Sequence, residues 1–269
     1  MTVHRATVIA ALACIFGLSL TGCSSNNPQT PTGNDGVPQK GNLTGWVSLY
    51  NIAGDTISDK SGVTVKLVRT NFSTVTSANG RWTFVDIPSG TYEVSFEKSG
   101  FAELRVFGYQ FVGGGEARFD EVAISETPTL QVTSFSLAQE PTVVFDTLTR
   151  RLDTLWTSAM MSWQGTFDRN PDDTSARIFI YYNTSPNVSN HPRDHVWYMY
   201  IDVMSNNPVV LFHKYQLFYN REFPSGTRIY SRTYVGSKYH TQMRDTSSAN
   251  KYIMTSLGPA SPVRELVMR

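Results

Sequence analysis

The sequence predicts an all-β protein built as two tandem antiparallel β-sandwiches. Three observations carry that prediction. After residue 42, short apolar runs alternate with polar residues at a period of two, the spacing of half-buried strands. Gly, Pro, Asn and Ser punctuate those runs at short intervals, as tight turns require. Aromatic residues make up 12% of the chain and charged residues only 17%, a balance suited to pleated faces packed with rings.

The elements follow in order. Arg5 precedes an apolar run from Ala6 to Leu20, and Leu20-Thr21-Gly22-Cys23 closes it. A cationic start, an apolar stretch and small residues before a cleavage point form an export signal over residues 1–22. The apolar run is shorter than the ~20 residues that cross a bilayer. Plain secretion would leave Cys23 unpaired on an exported protein. With Cys23 directly after Gly22, the segment resembles a bacterial lipoprotein signal. The resemblance implies that Cys23 is acylated and becomes the first residue of the mature chain. Ser24 and Ser25 follow it rather than aspartate, which in that family implies sorting to the outer membrane; whether the protein faces the periplasm or the surface stays open. Residues 23–42 are rich in Ser, Asn, Pro, Gly and Thr. They carry too little apolar surface to offset their ordering entropy, so they are expected to act as a flexible tether.

Residues 43–126 are expected to form the first sandwich. Val47 and Leu49 share a face, as do Val63, Val65 and Leu67, and Trp82 and Phe84. In Thr91–Glu97, Tyr92, Val94 and Phe96 point one way while Thr91, Glu93, Ser95 and Glu97 point the other. Asn79-Gly80 suits a tight hairpin turn that needs positive φ, and Pro88-Ser89-Gly90 marks another. Gly45-x-Val47, Gly62-Val63-x-Val65-x-Leu67, Thr74-x-Thr76, Asn79-Gly80, Trp82-x-Phe84, Ile87-Pro88-Ser89-Gly90-Thr91-Tyr92-x-Val94 and Gly100-Phe101 occur in this order. Together they resemble a carboxypeptidase regulatory-like domain, a small transthyretin-like sandwich. The departure is Ser77-Ala78, where that family often has an acidic residue. The resemblance implies an accessory module without catalytic residues of its own.

Gly113-Gly114-Gly115 and Pro128 bracket the expected junction. Residues 127–269 are expected to form the second sandwich. Strands are expected at Ala159–Trp163, Arg177–Tyr182, Val196–Val203, Gly226–Tyr234, Lys251–Thr255 and Val263–Met268, with Val209–Tyr219 as one long, bent strand. This half weakly resembles a fibronectin type III module. Trp163 fits the core tryptophan of that family, and Phe223-Pro224-Ser225-Gly226-Thr227 the entry to a late strand. The family's corner tyrosine would fall on Ile229, and the span from Arg177 to Phe223 is long for it.

Composition excludes some functions. The chain has 23 Lys+Arg against 22 Asp+Glu, and no basic stripe marks a nucleic-acid partner. Without Cys14 and Cys23 the mature chain has no thiol to serve as nucleophile, disulfide or metal ligand. No nucleophile elbow, H-E-x-x-H, Walker loop or dinucleotide fingerprint is present, so no catalytic residue and no cofactor is expected. His191 and His195 are four apart, but Pro192 places them in a loop, where that spacing does not converge on a metal; two solvated loop histidines are expected. Asp168, Asn170 and Asp172 alternate as a calcium loop begins. Asp173 at the sixth position and Phe179 at the twelfth exclude an EF-hand. A looser calcium loop stands against a polar turn that caps its own backbone.

Tyr198 and Tyr200 are the candidate binding residues. They lie about 7 Å apart along one strand, opposite Trp197, Met199, Ile201 and Val203. An exposed pair could stack on a sugar ring or a partner protein; the competing reading is cross-strand packing. The expectation is a lipid-anchored, non-catalytic binding or adhesion protein of the envelope, with a glycan or protein partner. A periplasm-facing accessory subunit and a cryptic hydrolase are the alternatives. An exposed aromatic strip would favour the first, a broad apolar patch the second, and a cleft with facing carboxylates the third.

Overall fold

The computed structural model describes residues 37–155, 160–171, 176–203, 209–219, 221–246 and 251–269. The expected signal peptide, Cys23, the tether before residue 37 and Asp172 lie outside the described residues.

Eight strands build the first pair of sheets: β1 (Lys40–Tyr50), β2 (Thr64–Leu67), β3 (Ser73–Val75), β4 (Arg81–Pro88), β5 (Gly90–Glu97), β6 (Leu104–Phe111), β7 (Glu116–Arg118) and β8 (Val122–Ser125). One sheet runs β4-β1-β7 with β8 also on β1, and the other runs β3-β2-β5-β6. The alternating residues named above meet between them: Val47, Leu49, Val63, Val65, Leu67, Val94 and Phe96 are buried with Leu43, Trp82 and Phe119. Gly45 pairs directly with Trp82 across β1 and β4. A Cβ on Gly45 would stand 2.4 Å from the indole, so the missing side chain is what lets the ring lie flat over the strand. The Asn79-Gly80 turn also has a local cause. Gly80 sits at φ +82°, and a Cβ there would stand 2.2 Å from the carbonyl of Val47. Ser77 Oγ and Arg81 N both donate to Asn79 Oδ1, at 2.7 and 3.1 Å, which ties the turn together. Not every pair is antiparallel: β7 and β8 run parallel to β1. The chain reaches them from β6 in the opposite sheet, and a crossing between sheets frees the direction of the returning strand.

The rest comprises β9 (Val132–Gln139), β10 (Thr142–Asp146), β11 (Arg151–Leu155), β12 (Met160–Phe167), β13 (Ala176–Asn183), β14 (Trp197–Val203), β15 (Val209–His213), α1 (Lys214–Phe218), β16 (Arg228–Gly236), β17 (Gln242–Arg244), β18 (Tyr252–Met254), β19 (Leu257–Ala260) and β20 (Arg264–Val267). A sheet β15-β12-β9 faces a sheet β14-β13-β16-β19, with β20 also on β16. Trp163, Ile178, Ile180, Tyr182, Met199, Ile201 and Ile229 fill the space between. The far face of the larger sheet is covered too. Phe179, Tyr181 and Tyr234 are buried there with Val188 and Met254. β13 is therefore apolar on both faces rather than alternating.

The expected long strand Val209–Tyr219 is corrected: it ends at His213 and turns into α1. His213 N donates to Gln216 Oε1 at 3.0 Å, and Tyr215 N donates to His213 Nδ1 at 3.2 Å. This reciprocal cap starts the helix. A strand would send Leu217 and Phe218 to opposite faces; the helical turn buries both.

Residues 237–243 join the two halves. Tyr239 stacks on Tyr50 at 3.7 Å and 4°. Lys238 N donates to Ile52 O at 2.9 Å, and Ser125 N donates to Thr241 Oγ1 at 2.9 Å in a buried setting. The hairpin β10-β11 pairs only with itself among the described strands. It leaves Val143, Phe145, Leu148 and Leu152 exposed, Leu148 to 94%.

Candidate functional site

β14 is an edge strand: among the described residues it pairs only with β13. Three neighbouring segments close around its start. The loop before it is stitched by short polar bonds. Asn183 Nδ2 donates to Asp194 O at 2.9 Å, Ser189 Oγ donates to Asp194 Oδ2 at 2.6 Å, and Asn190 Nδ2 donates to Met254 O at 3.1 Å. α1 ends beside β14, and the β17-β18 hairpin brings Gln242, Lys251 and Tyr252. The result is a cavity of about 310 Å³ lined by Pro192, His195, Val196, Trp197, Tyr198, Gln242, Lys251 and Tyr252.

A ladder of rings runs along this end of the sheet. Tyr215 lies 5.9 Å from Tyr219. Tyr219 stacks on Trp197 at 4.8 Å and 15°, Trp197 on Tyr198 at 6.2 Å and 24°, and Tyr198 on Tyr181 at 5.1 Å and 27°. The inner end is buried and the outer end is open: Trp197 is 40% exposed, Tyr219 53% and Tyr252 52%. Rings held by other rings present a preset apolar face at little entropic cost. Tyr219 is placed at a strained backbone position, φ +36° and ψ 80°, as the left-handed cap of α1. Bulky residues rarely adopt that conformation, and it gathers at functional sites.

His195 lines the cavity with its Nδ1 3.1 Å from Ser189 O. A carbonyl only accepts, so Nδ1 carries the proton. Burial holds the imidazole below its ordinary pKa, against the raising effect of hydrogen bonds to the Ser189 and His191 carbonyls. The expectation of two solvated loop histidines is thereby corrected for His195, whose ring also meets Tyr181 edge-on at 4.9 Å. His191 stays in the loop and accepts from Arg193 N at 3.3 Å.

Tyr198 and Tyr200 share the outer face as their alternation implied, but they part in role. Tyr198 is half-buried against Tyr181 and walls the cavity. Burial raises its phenol pKa. Tyr200 is 49% exposed and lies under the Arg177 guanidinium at 4.4 Å. Arg177 in turn binds both Asp202 carboxylate oxygens, at 2.9 and 3.0 Å. In the calcium-loop candidate, Asp168 Oδ1 accepts from Gln131 N at 3.0 Å and Oδ2 from Arg169 at 3.3 Å. Asn170 is exposed, and Asp172 lies outside the described residues. Among the described residues no group of three or more His, Cys, Asp or Glu could hold a metal ion.

Sequence reasoning missed Trp197, Tyr219, Gln242, Lys251 and Tyr252. Trp197 was expected to face the core with Met199 and Ile201. It is the first residue of its strand, beyond the end of the core, and it packs on Tyr219 instead. Tyr219 and Tyr252 reach the site from distant segments, and no local pattern marks them.

A second cavity, of about 490 Å³, includes Glu140 and Glu265 in its lining. Both carboxylates are engaged: Glu140 accepts from Ser162 Oγ at 2.5 Å, and Glu265 from Arg228 at 2.8 Å.

No family model and no curated protein matches the chain. Among solved structures it resembles a mutant type II cohesin–X-dockerin complex from Acetivibrio cellulolyticus, at 21% identity and a TM-score of 0.28. That likeness covers 32% of this chain, and the chain spans only 58% of the other's length. A Bacteroides uniformis protein to which carbohydrate binding is provisionally ascribed is 13% identical, over 85% of this chain and 99% of that one, with a TM-score of 0.27. The chicken CNTN1 FN1–FN3 domains are 14% identical, over 87% and 68%, with a TM-score of 0.29. At these scores the likenesses define neither a family nor a function.

Proposed function

We propose that this chain is a lipid-anchored, non-catalytic binding protein of the bacterial outer membrane, tethered through Cys23 and residues 23–42, that recognises a glycan beside Trp197. The observation that carries the reading is the ladder of exposed, mutually stacked rings at the mouth of a cavity whose remaining walls include His195, Gln242 and Lys251. A sugar has apolar C–H faces and hydroxyl edges. Aromatic planes take the faces, and an amide, an imidazole and an ammonium take the edges. Among the described residues no carboxylate lines this cavity, so these walls do not offer the paired carboxylates of glycoside hydrolysis. The test is a glycan array with the full-length protein in detergent, followed by titration of the best hit. Trp197→Ala should weaken binding by about tenfold or more, as loss of a stacking platform does, while lowering the thermal midpoint by only a few degrees through the lost ring stacks. Unchanged binding would sink the reading. The anchor has its own test: labelled palmitate should enter the protein in cells and fail to enter Cys23→Ala.

A second reading is favoured by β10-β11. Its exposed Val143, Phe145, Leu148 and Leu152 form an apolar surface on a hairpin that pairs with no other described strand, as expected of an accessory subunit that docks on an envelope protein. Crosslinking in cells that captures one partner with the wild type, and loses it with Leu148→Ser, would support that role.

A further inference from the structure

We infer that the glycan held beside Trp197 is an acidic one, with a uronate carboxylate seated on Lys251 and its sugar ring against the aromatic wall. This deepens the glycan reading and rests on it.

Lys251 stands in the cavity lining and donates to Pro192 O at 3.0 Å. That bond fixes the direction of the side chain and uses one of three ammonium protons. Arg244 is the direct cross-strand partner of Tyr252 in the β17-β18 hairpin. Directly opposed residues point to the same face, so its guanidinium accompanies the Tyr252 ring, and both residues are exposed. No ion pair among the described residues involves Lys251 or Arg244. Asp194 accepts from Ser189 Oγ at 2.6 Å within its loop. Among the described residues the cavity lining contains one ammonium and no carboxylate.

An aromatic cavity with an ammonium and no carboxylate among its described walls selects by charge as well as by shape. A neutral sugar would satisfy the rings and offer the ammonium only an uncharged hydroxyl. A uronate uses both, because its carboxylate accepts charge-assisted hydrogen bonds from Lys251 while the ring carbons stay on the indole. An acidic peptide shares the charge but has no rigid apolar ring face for Trp197 and Tyr252.

The test is calorimetric titration of the full-length protein in detergent. The probes are oligogalacturonate, oligoglucuronate and oligomannuronate, each paired with its carboxyl-reduced counterpart, and polyglutamate as the peptide control. At least one uronate should bind about tenfold tighter than its reduced partner, the effect of one charge-assisted hydrogen bond, and salt should narrow the gap. Lys251→Met should abolish the preference, weakening the uronate far more than its reduced partner, whereas Lys251→Arg should retain it. Trp197→Ala should weaken both members of the pair. Equal affinity for a uronate and its reduced partner would overturn the acidic inference while the glycan reading stands. Binding of polyglutamate with no binding of any sugar would overturn both.

Discussion

Tyr219 sets two energies against each other, and substitution can separate them. Its backbone is held at φ +36° and ψ 80°, where a residue with a Cβ is disfavoured by about 1–2 kcal/mol. Its ring stacks on Trp197 at 4.8 Å, which contributes about 0.5–1.5 kcal/mol beyond buried area. Tyr219→Ala removes the ring and keeps the strain, so it should destabilise the protein by about 1 kcal/mol. Tyr219→Gly removes both and should lie close to wild type. The difference between the two variants, about 1 kcal/mol in favour of glycine, is opposite in sign to the same pair inside a helix. Urea denaturation followed by tryptophan fluorescence measures it, and the slopes should agree across the series. Glycan binding should fall alike in both variants, because both lack the ring. If glycine proves no better than alanine, Tyr219 is not held in the left-handed conformation, and the argument that strain presets the aromatic ladder fails.

Three further outcomes are expected. Thr241→Val removes the acceptor for the buried Ser125 N–H and should cost about 1–3 kcal/mol in urea unfolding; a change near zero would mean that this contact between the halves contributes nothing. Gly45→Ala places a Cβ 2.4 Å from the Trp82 ring and should destabilise by about 1–3 kcal/mol through overpacking, measured as a lower thermal midpoint. His195 and His240 are both held below the ordinary value of 6.5, foremost by burial. The unfolded chain therefore takes up more protons than the folded one once the pH drops below 6.5. Stability is fully present above that pH and is lost as the pH falls toward the folded values. Unfolding free energies between neutral pH and about pH 5 should show this slope, and it should shrink in a His195→Asn, His240→Asn double variant.

Much of the architecture was legible because strand faces are written at short range. Leu43, Val47, Val65, Leu67, Val94 and Phe96 alternate with polar neighbours, and burial against the opposite sheet is the one arrangement that removes all of them from water together. Asn79-Gly80 was legible for a comparable reason, since only glycine tolerates both the positive φ and the closeness of the Val47 carbonyl. The parallel placement of β7 and β8 and the helical turn at Lys214 were not legible. The first follows from a crossing between sheets, and the second from a histidine cap and from Leu217 and Phe218 sharing one apolar side.

The site divides in the same way. Tyr198 and Tyr200 stood out because both alternate with core residues on β14, and that period places them together on its outer face. Their separate roles depend on what the chain brings over that face from elsewhere. Tyr181 half-buries one, and Arg177, itself held by Asp202, covers the other. Trp197, Lys251 and Tyr252 line one cavity and Tyr219 stacks on its Trp197; they come from three separate stretches of chain, and only the packing of α1 and the β17-β18 hairpin around β14 brings them together. Period and turn chemistry act between residues a few positions apart, so they are visible in order along the chain. A binding surface depends on which distant elements share an edge, and the tertiary fold alone decides that.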